Sequence, residues 1–308
     1  MSDPSTESPR AGRVTILGRP NVGKSTLLNA LVGQTLAIAT PRPGTTRSNL
    51  LGVHMRKDPP TQIAFVDTPG VGRAQTALHR VLVEQAEASV ADVDAVVLLL
   101  SAPDCRGADL PPADQGAFAL AMSTGRPIVL ALNKVDRVKD KEQLLPLLDT
   151  VGKRPEFSAI VPISATKGTN LDALVSELRN FLPEGLAYDE DFLTDRPERY
   201  FVRELVREAA IRHTREEVPY GVAVLLDEYS TTGDRTHIEA TVVVEKESHK
   251  KIVVGAGGSM IRTIGTEARK AIETFVGRKV VLKLWVKVVE GWTEDPRKVR
   301  ELALGENE

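Results

Sequence analysis

The sequence predicts a doubly wound α/β domain with a mostly parallel sheet, followed by a smaller α+β domain. Three observations support this. From Arg13 to Pro183 short β-branched apolar runs alternate with longer segments of helical period, which is the pattern of βαβ units covered on both faces. At Pro183 the composition breaks into an acidic, aperiodic stretch closed by Pro197. Beyond it the order becomes helix, two alternating strands, apolar segment, glycine-rich turn, helix and strand.

Residues 1–12 are rich in Ser, Pro and Glu without an apolar stretch, so they read as a loose tail and not as a signal peptide. Strands are expected at Arg13–Leu17, Leu51–Met55, Ile63–Val66, Ala95–Leu100, Ile128–Leu132 and Ile160–Ile163. Helical spacing falls at Lys24–Leu31, Leu78–Ala91, Asp114–Ser123, Lys141–Gly152 and Leu171–Phe181, several of them ending near Gly or Pro. In such a sheet the ligand is expected at the carboxyl ends of the strands. In the second domain Phe201, Leu205 and Ala209 share one helical face, and strands are expected at Val222–Asp227, Ile238–Glu245 and Val280–Val289. Arg297–Leu304 has the spacing of a short terminal helix.

A chain of 308 residues, 42% hydrophobic and 27% charged, is long enough for two buried cores. Its net charge of -2 gives no whole-chain argument for a polyanionic partner, so any such argument must be local. The single cysteine, Cys105, can form no internal disulfide, which fits a cytosolic chain. The longest apolar runs fall far short of the ~20 residues that span a bilayer. The histidines at 54, 79, 213, 237 and 249 share no spacing that suggests a metal or a general base.

Directly after the first strand comes Gly18-Arg19-Pro20-Asn21-Val22-Gly23-Lys24-Ser25, which fits GxxxxGK[ST] and is followed by a helix, as that pattern requires. Its glycines let backbone N–H groups converge on phosphates at a helix N-terminus, where unpaired donors and the helix dipole favour negative charge. Lys24 is expected to reach the β- and γ-phosphates and Ser25 to offer a hydroxyl to Mg²⁺, with Thr26 a phosphate contact or an ordinary helix residue. Asn133-Lys134-Val135-Asp136 ends a buried strand and selects guanine. The Asp136 carboxylate can accept from guanine's ring N–H and exocyclic amine, whereas adenine offers no such donor pair and would leave it unpaired. Lys134 can lie over the base, Asn133 can tie this loop to the phosphate cradle, and the backbone N–H groups of Ser164-Ala165 can face the guanine carbonyl.

Asp67-Thr68-Pro69-Gly70 closes the third strand, with Asp67 behind a Mg²⁺-bound water and the Gly70 N–H facing the γ-phosphate; Val71 follows in the same turn. The loop from Gln34 to Arg47 contains Gly44-Thr45-Thr46-Arg47, from which Thr46, with Thr45 as the fallback, can complete the Mg²⁺ shell. Lys24, Thr46 and Gly70 are therefore the residues expected to act on the transferring phosphate. The loops at 34–47 and 68–78 would be ordered by γ-phosphate and metal and released after hydrolysis.

In this order GRPNVGKS, PGTTR, DTPG, NKVD and SA resemble a translation-factor-related GTPase, and Val254–Ile261 resembles the GXXG signature of a type II KH domain, whose α-β-β-α-α-β order the second domain shares. Together, from Arg13 to about Trp292, the chain is similar to the Era family of GTPases. The resemblance implies a P-loop GTPase domain at 13–183, a linker at 184–197, a KH-like domain at 198–292 and a tail at 293–308. It implies a monomeric bacterial protein that turns GTP and water into GDP and phosphate with Mg²⁺. Its partners would be small-subunit (16S) ribosomal RNA near the 3′ end and the assembling small ribosomal subunit. The location would be cytoplasmic, with peripheral contact at the inner face of the cell membrane. Val71 stands where small signalling GTPases carry a water-orienting glutamine, so hydrolysis is arranged otherwise and intrinsic turnover is slow. Asn21 resembles the residue that ligates K⁺ in potassium-stimulated relatives; shaping the loop is the alternative role.

Between Lys246 and Lys287 there are ten Lys or Arg against three acidic residues, a local positive excess hidden in the whole-chain charge. Gly255, Gly257 and Gly258 would let the backbone approach a sugar-phosphate chain, clamping about four nucleotides. The family's lysine inside this turn is Ala256 here, leaving Lys250, Lys251 and Arg262 as substitute phosphate contacts. Trp285, in an alternating strand, is assigned to the core. Two rival functions are an RNA chaperone using nucleotide only as a structural ligand, and a P-loop kinase, which the guanine reader disfavours.

Overall fold

The structure, a computed structural model, describes residues 7–38, 40, 42, 44–70, 76–105 and 109–305. Contacts divide them into two compact units. The first takes nearly all described residues up to 195; the second takes 196–305 together with 40, 42, 44–47 and 76–81.

In chain order the elements up to residue 179 are β1 (Arg10–Leu17), α1 (Lys24–Val32), β2 (Leu50–Lys57), β3 (Pro60–Asp67), α2 (Ala77–Ala88), β4 (Ala95–Ser101), α3 (Gln115–Ser123), β5 (Ile128–Asn133), α4 (Leu145–Gly152), β6 (Ala159–Pro162) and α5 (Leu171–Arg179). The sheet runs β2-β3-β1-β4-β5-β6, parallel throughout except for the antiparallel β2–β3 pair. Every residue of β4 is buried, which is why that strand reads as an unbroken apolar run. β1 has β3 on one side and β4 on the other, so the connections leave it in opposite directions and a crevice opens at its carboxyl end.

β1 begins three residues earlier than the sequence suggested, because Arg10–Gly12 already pair with Thr61–Ile63 and Ala11 is buried. The acidic stretch after Pro183 has no helix or strand up to Asp195, yet it is fixed along β2 and β3. The Gln62 carboxamide accepts from the N–H groups of Ala187 and Tyr188 and donates to the Tyr188 carbonyl at 2.7 Å, and Val53 N donates to the Leu193 carbonyl at 2.9 Å.

The second unit contains α6 (Glu198–His213), β7 (Ala223–Thr232), β8 (Arg235–Val244), α7 (Glu247–Val254), α8 (Ser259–Val276), β9 (Lys279–Val288) and α9 (Pro296–Val299). β8 lies between an antiparallel β7 and a parallel β9. One face of this sheet is covered by α6 and α8, where Val202, Val206 and Ala209 meet Ile264, Ala268 and Ile272 over Ile238, Ala240 and Val242. The terminal helix lies where its spacing placed it: α9 continues as a π-helical turn over Arg300–Leu304.

Two placements were not foreseen. Trp285 is 58% exposed, on the sheet face away from α6 and α8, so its assignment to the core is corrected; Trp292 is the fully buried tryptophan. Trp292 Nε1 donates to the Gly221 carbonyl at 3.1 Å, and the Arg47 guanidinium sits 5.4 Å from its ring centre. The segment around Arg47 also belongs to this unit: Arg47 donates to the carbonyls of Val222 at 2.7 Å and Tyr220 at 2.9 Å, Arg42 donates to that of Thr214 at 2.6 Å, and Arg207 donates to that of Thr45.

Truncating Trp292 removes a large buried ring and leaves the Gly221 carbonyl unpaired. Trp292→Ala is expected to cost about 3–5 kcal/mol of stability, read from denaturant unfolding; a loss below about 1 kcal/mol would contradict the packing described.

Candidate nucleotide and RNA sites

The phosphate cradle forms where β1 ends and α1 begins. Gly23 takes φ 106°, and a Cβ there would lie 2.4 Å from the Asn133 side chain, so both backbone conformation and space require glycine. Lys24 is buried and donates to the carbonyls of Gly18 at 3.0 Å and Arg19 at 3.2 Å. Burial above all draws its ammonium down to about 8, against the opposing pull of Asp67. Ser25 Oγ donates to Asp67 Oδ2 at 2.7 Å, which places hydroxyl and carboxylate side by side where β1 and β3 end. These all-oxygen donors suit Mg²⁺, which binds through one or two carboxylates, waters and substrate phosphates and not through an all-protein cage. Gly70 lies against the cradle as well, since a Cβ on it would come within 2.7 Å of the Pro20 backbone.

Two side chains, those of Asn133 and Lys134, join the loops after β5 and β6 to the cradle. Asn133 donates through Nδ2 to the Val22 carbonyl at 2.9 Å and accepts through Oδ1 from Ala165 N at 3.0 Å. Lys134, in a left-handed conformation with φ 65°, donates through Nζ to the Asn21 carbonyl. Ser164 Oγ donates to Asp136 Oδ1 at 2.6 Å, and this bond is the main reason the carboxyl stays below its usual range and ionised.

The N–H groups of Ser164 and Ala165 donate to the Thr169 carbonyl and to Asn133 Oδ1, and Ser164 also holds Asp136 by its side chain. Thr68 is buried and donates to the Ile16 carbonyl at 2.8 Å, a strand-end bond. The Arg19 guanidinium is paired with Asp104 and with the fully buried Asp114, at 3.2 Å from Nε to Oδ1. Thr45 and Thr46 group by their contacts with the second unit and not with the unit that holds Ser25 and Asp67. Val22 is buried in the cradle, Thr26 and Pro20 are half-buried, Pro69 is buried, and Val71 lies outside the described residues. Cys105 is a buried bystander, its thiol pushed up to about 12 by burial.

In the second unit α7 ends at Gly255, with φ 72°, and α8 starts after Gly258, with φ 78°. Beside this turn a groove of about 400 Å³ is lined by Gly258, Ile261, Arg262, Arg269, Leu282 and Leu284 among others. Lys250, Lys251, Gly255 and Ala256 line a separate hollow of about 450 Å³. Of the three substitutes for the missing lysine, Arg262 therefore lies in the groove and the two lysines do not. Gly257 also takes a positive φ of 57°.

Two family models match the chain, a "50S ribosome-binding GTPase" over residues 13–134 and a "KH domain" over 217–293. The GTPase Era of Marinobacter nauticus is 40% identical over 99% of this chain and 99% of its own. A crystal structure of Era in complex with MgGDPNP and nucleotides 1506–1542 of 16S ribosomal RNA superposes with a TM-score of 0.90 at 38% identity, covering 96% of this chain and 98% of that one. A single-residue variant of Aquifex aeolicus Era bound to GDP·AlF4⁻ gives 0.89 at the same identity, over 95% and 98%. This chain belongs to the Era family of GTPases. Its doubly wound GTPase domain and its KH domain are those the motifs indicated.

In this Era-family chain three contributors escaped sequence reasoning. Asp104 and Asp114 hold Arg19, and no local pattern pairs them with it. Arg269 lines the groove, and its spacing of seven from Arg262 on one helix was a usable signal.

Phosphate oxygens favour the charged form of Lys24, so nucleotide binding raises a pKa that starts at about 8. Below that pH the ammonium is already present. Above it, binding must take up a proton, and affinity for GDP is expected to fall about tenfold per pH unit until the bound-state pKa is reached. Calorimetry in buffers of different ionisation enthalpy at alkaline pH should show proton uptake that Lys24→Met abolishes.

Proposed function

We propose that this chain is a GTP-hydrolysing switch whose KH domain binds single-stranded small-subunit ribosomal RNA and which assists small ribosomal subunit assembly. The observation that carries this reading is the groove beside the Gly255–Gly258 turn. Glycine backbone and the N-terminus of α8 suit a sugar-phosphate chain, Arg262 and Arg269 supply positive charge, and Leu282 and Leu284 offer an apolar floor for bases. It stands in a chain whose other unit holds the Asp136 carboxylate that suits guanine's donors, and in a family with a member crystallised on 16S ribosomal RNA.

In the GTPase cycle Lys24 exchanges the Gly18 and Arg19 carbonyls for phosphate oxygens, and Ser25 and Asp67 hold the Mg²⁺ side of the cradle. The metal, when bound, neutralises charge on the β- and γ-phosphates. With GTP and metal bound, the Gly70 N–H would serve the γ-phosphate and Thr46 would offer its hydroxyl to the metal. Asn21, whose carbonyl is held by Lys134, would be the residue that holds K⁺. The protein acts as a cytoplasmic monomer that makes peripheral contact with the inner membrane surface.

RNA matching the small-subunit 3′ region is expected to raise GTP turnover, and Asp136→Asn to reduce guanine preference by roughly ten- to a hundredfold. Negligible turnover with RNA bound would make the nucleotide a structural ligand. Replacing KCl by NaCl at matched ionic strength should lower the rate; equal rates would remove the potassium role. Arg269→Ala should weaken RNA binding and reduce the dependence of log affinity on log salt by about 0.7.

A further inference from the structure

β9 is an edge strand with two unlike faces. Leu282 and Leu284 point towards α8 and line the groove, while Val281, Lys283, Trp285 and Lys287 alternate with them and emerge on the opposite face of the sheet. Parallel register sets His237, Glu239 and Thr241 of β8 beside Val281, Lys283 and Trp285. Among the described residues Trp285 is the only exposed tryptophan, and no α-helix of the sheet's core covers it. The lysines alone would be explained by protection of an edge strand against pairing with another chain. That function needs no tryptophan, and a large exposed ring between two lysines is a poor choice for it.

We propose that this outer face of β9 is a second RNA contact, at which Trp285 stacks a base flanking the nucleotides held in the groove while Lys283 and Lys287 hold the adjoining phosphates. The inference rests on the RNA reading of the groove and extends it. Three features favour RNA over a protein occupant. The face is continuous with the groove around the free edge of one strand, so an RNA strand leaving the groove passes from Leu284 to Trp285 across a single strand's width. The exposed charges along β9 on this face, Lys279, Lys283 and Lys287, are all positive; the neighbouring carboxylates are engaged, Glu239 with Lys283 at 2.6 Å and Asp227 with the Thr241 hydroxyl at 2.7 Å. The one large apolar group beside them is planar and offers a π-face, and base stacking on such platforms tolerates any sequence. His237 lies two positions further along β8 from Glu239, on the same face, and is a second ring within reach of an extended strand.

The test uses the full chain, a single-stranded RNA of about six nucleotides that fills the groove, and the same RNA lengthened by about six nucleotides at its 5′ or its 3′ end. Binding is followed by anisotropy of labelled RNA and by tryptophan emission, in which buried Trp292 is a constant background. Trp285→Ala should leave the melting temperature and the affinity for the short RNA unchanged and weaken one of the two lengthened RNAs roughly tenfold. Trp285→Phe should restore much of that loss, and only the lengthened RNA should quench wild-type emission. Equal affinity of wild type and Trp285→Ala for every RNA overturns the proposal, as does an equal loss on all three, which would place Trp285 in the groove's own stability. Self-association of the wild type that Trp285→Ala abolishes without changing RNA affinity assigns the face to a second copy. Failure of the wild type to bind even the short RNA overturns the RNA reading itself, a result distinct from failure of the second contact.

Discussion

The carboxamide of Asn133 joins the parts of the nucleotide site that chain order keeps far apart. It leaves the end of β5 with one donor on the Val22 carbonyl in the phosphate cradle and one acceptor on the Ala165 N–H in the loop after β6. Both bonds are buried, where an unpaired partner would be costly, so the cradle and the loops carrying Asp136 and Ala165 are held in one register. Around that clasp Lys134 reaches back to Asn21, and Ser164 holds the Asp136 carboxylate ionised. Strand order makes this arrangement available, because β1, β4, β5 and β6 are successive parallel neighbours whose carboxyl ends open on the same side.

Buried charge in the cradle is arranged for exchange. Lys24 is desolvated and rests on two carbonyls, partners that a phosphate can displace, and its lowered pKa reflects how weakly they compensate burial. Arg19 is held by a carboxylate pair, one member fully buried, so the cradle's second cation is committed to shaping the loop.

The second unit shows what a thin sheet with one face fully covered and part of the other left open can do. α6 and α8 cover one face and supply its core, and the free edge of β9 places the groove beside α8. The unit also takes in the segment ending at Arg47, whose buried guanidinium is matched by two carbonyls and the Trp292 ring. A residue expected in a loop that answers to nucleotide is thus also part of the KH domain's packing, which ties Thr45 and Thr46 to that unit.

Features that local chemistry fixes were legible along the chain. The unbroken apolar runs could only be buried parallel strands, Gly23 of the cradle and the glycines of the Gly255–Gly258 turn have backbone conformations other residues resist, and Asp136 after Asn133 and Lys134 offers a carboxylate whose acceptors match guanine's donors. Which distant groups meet was settled by the folded arrangement: Asn133 with Val22 and Ala165, Arg19 with Asp104 and Asp114, Arg47 with Tyr220 and Val222. Those pairings follow from strand order and register, which no short pattern encodes. Trp285 illustrates the limit. Alternation along β9 separates two faces but does not say which is covered, since apolar residues occur on both; the lysines at 279, 283 and 287 share its parity and, once β8 fixes the register, mark that face as the one in water.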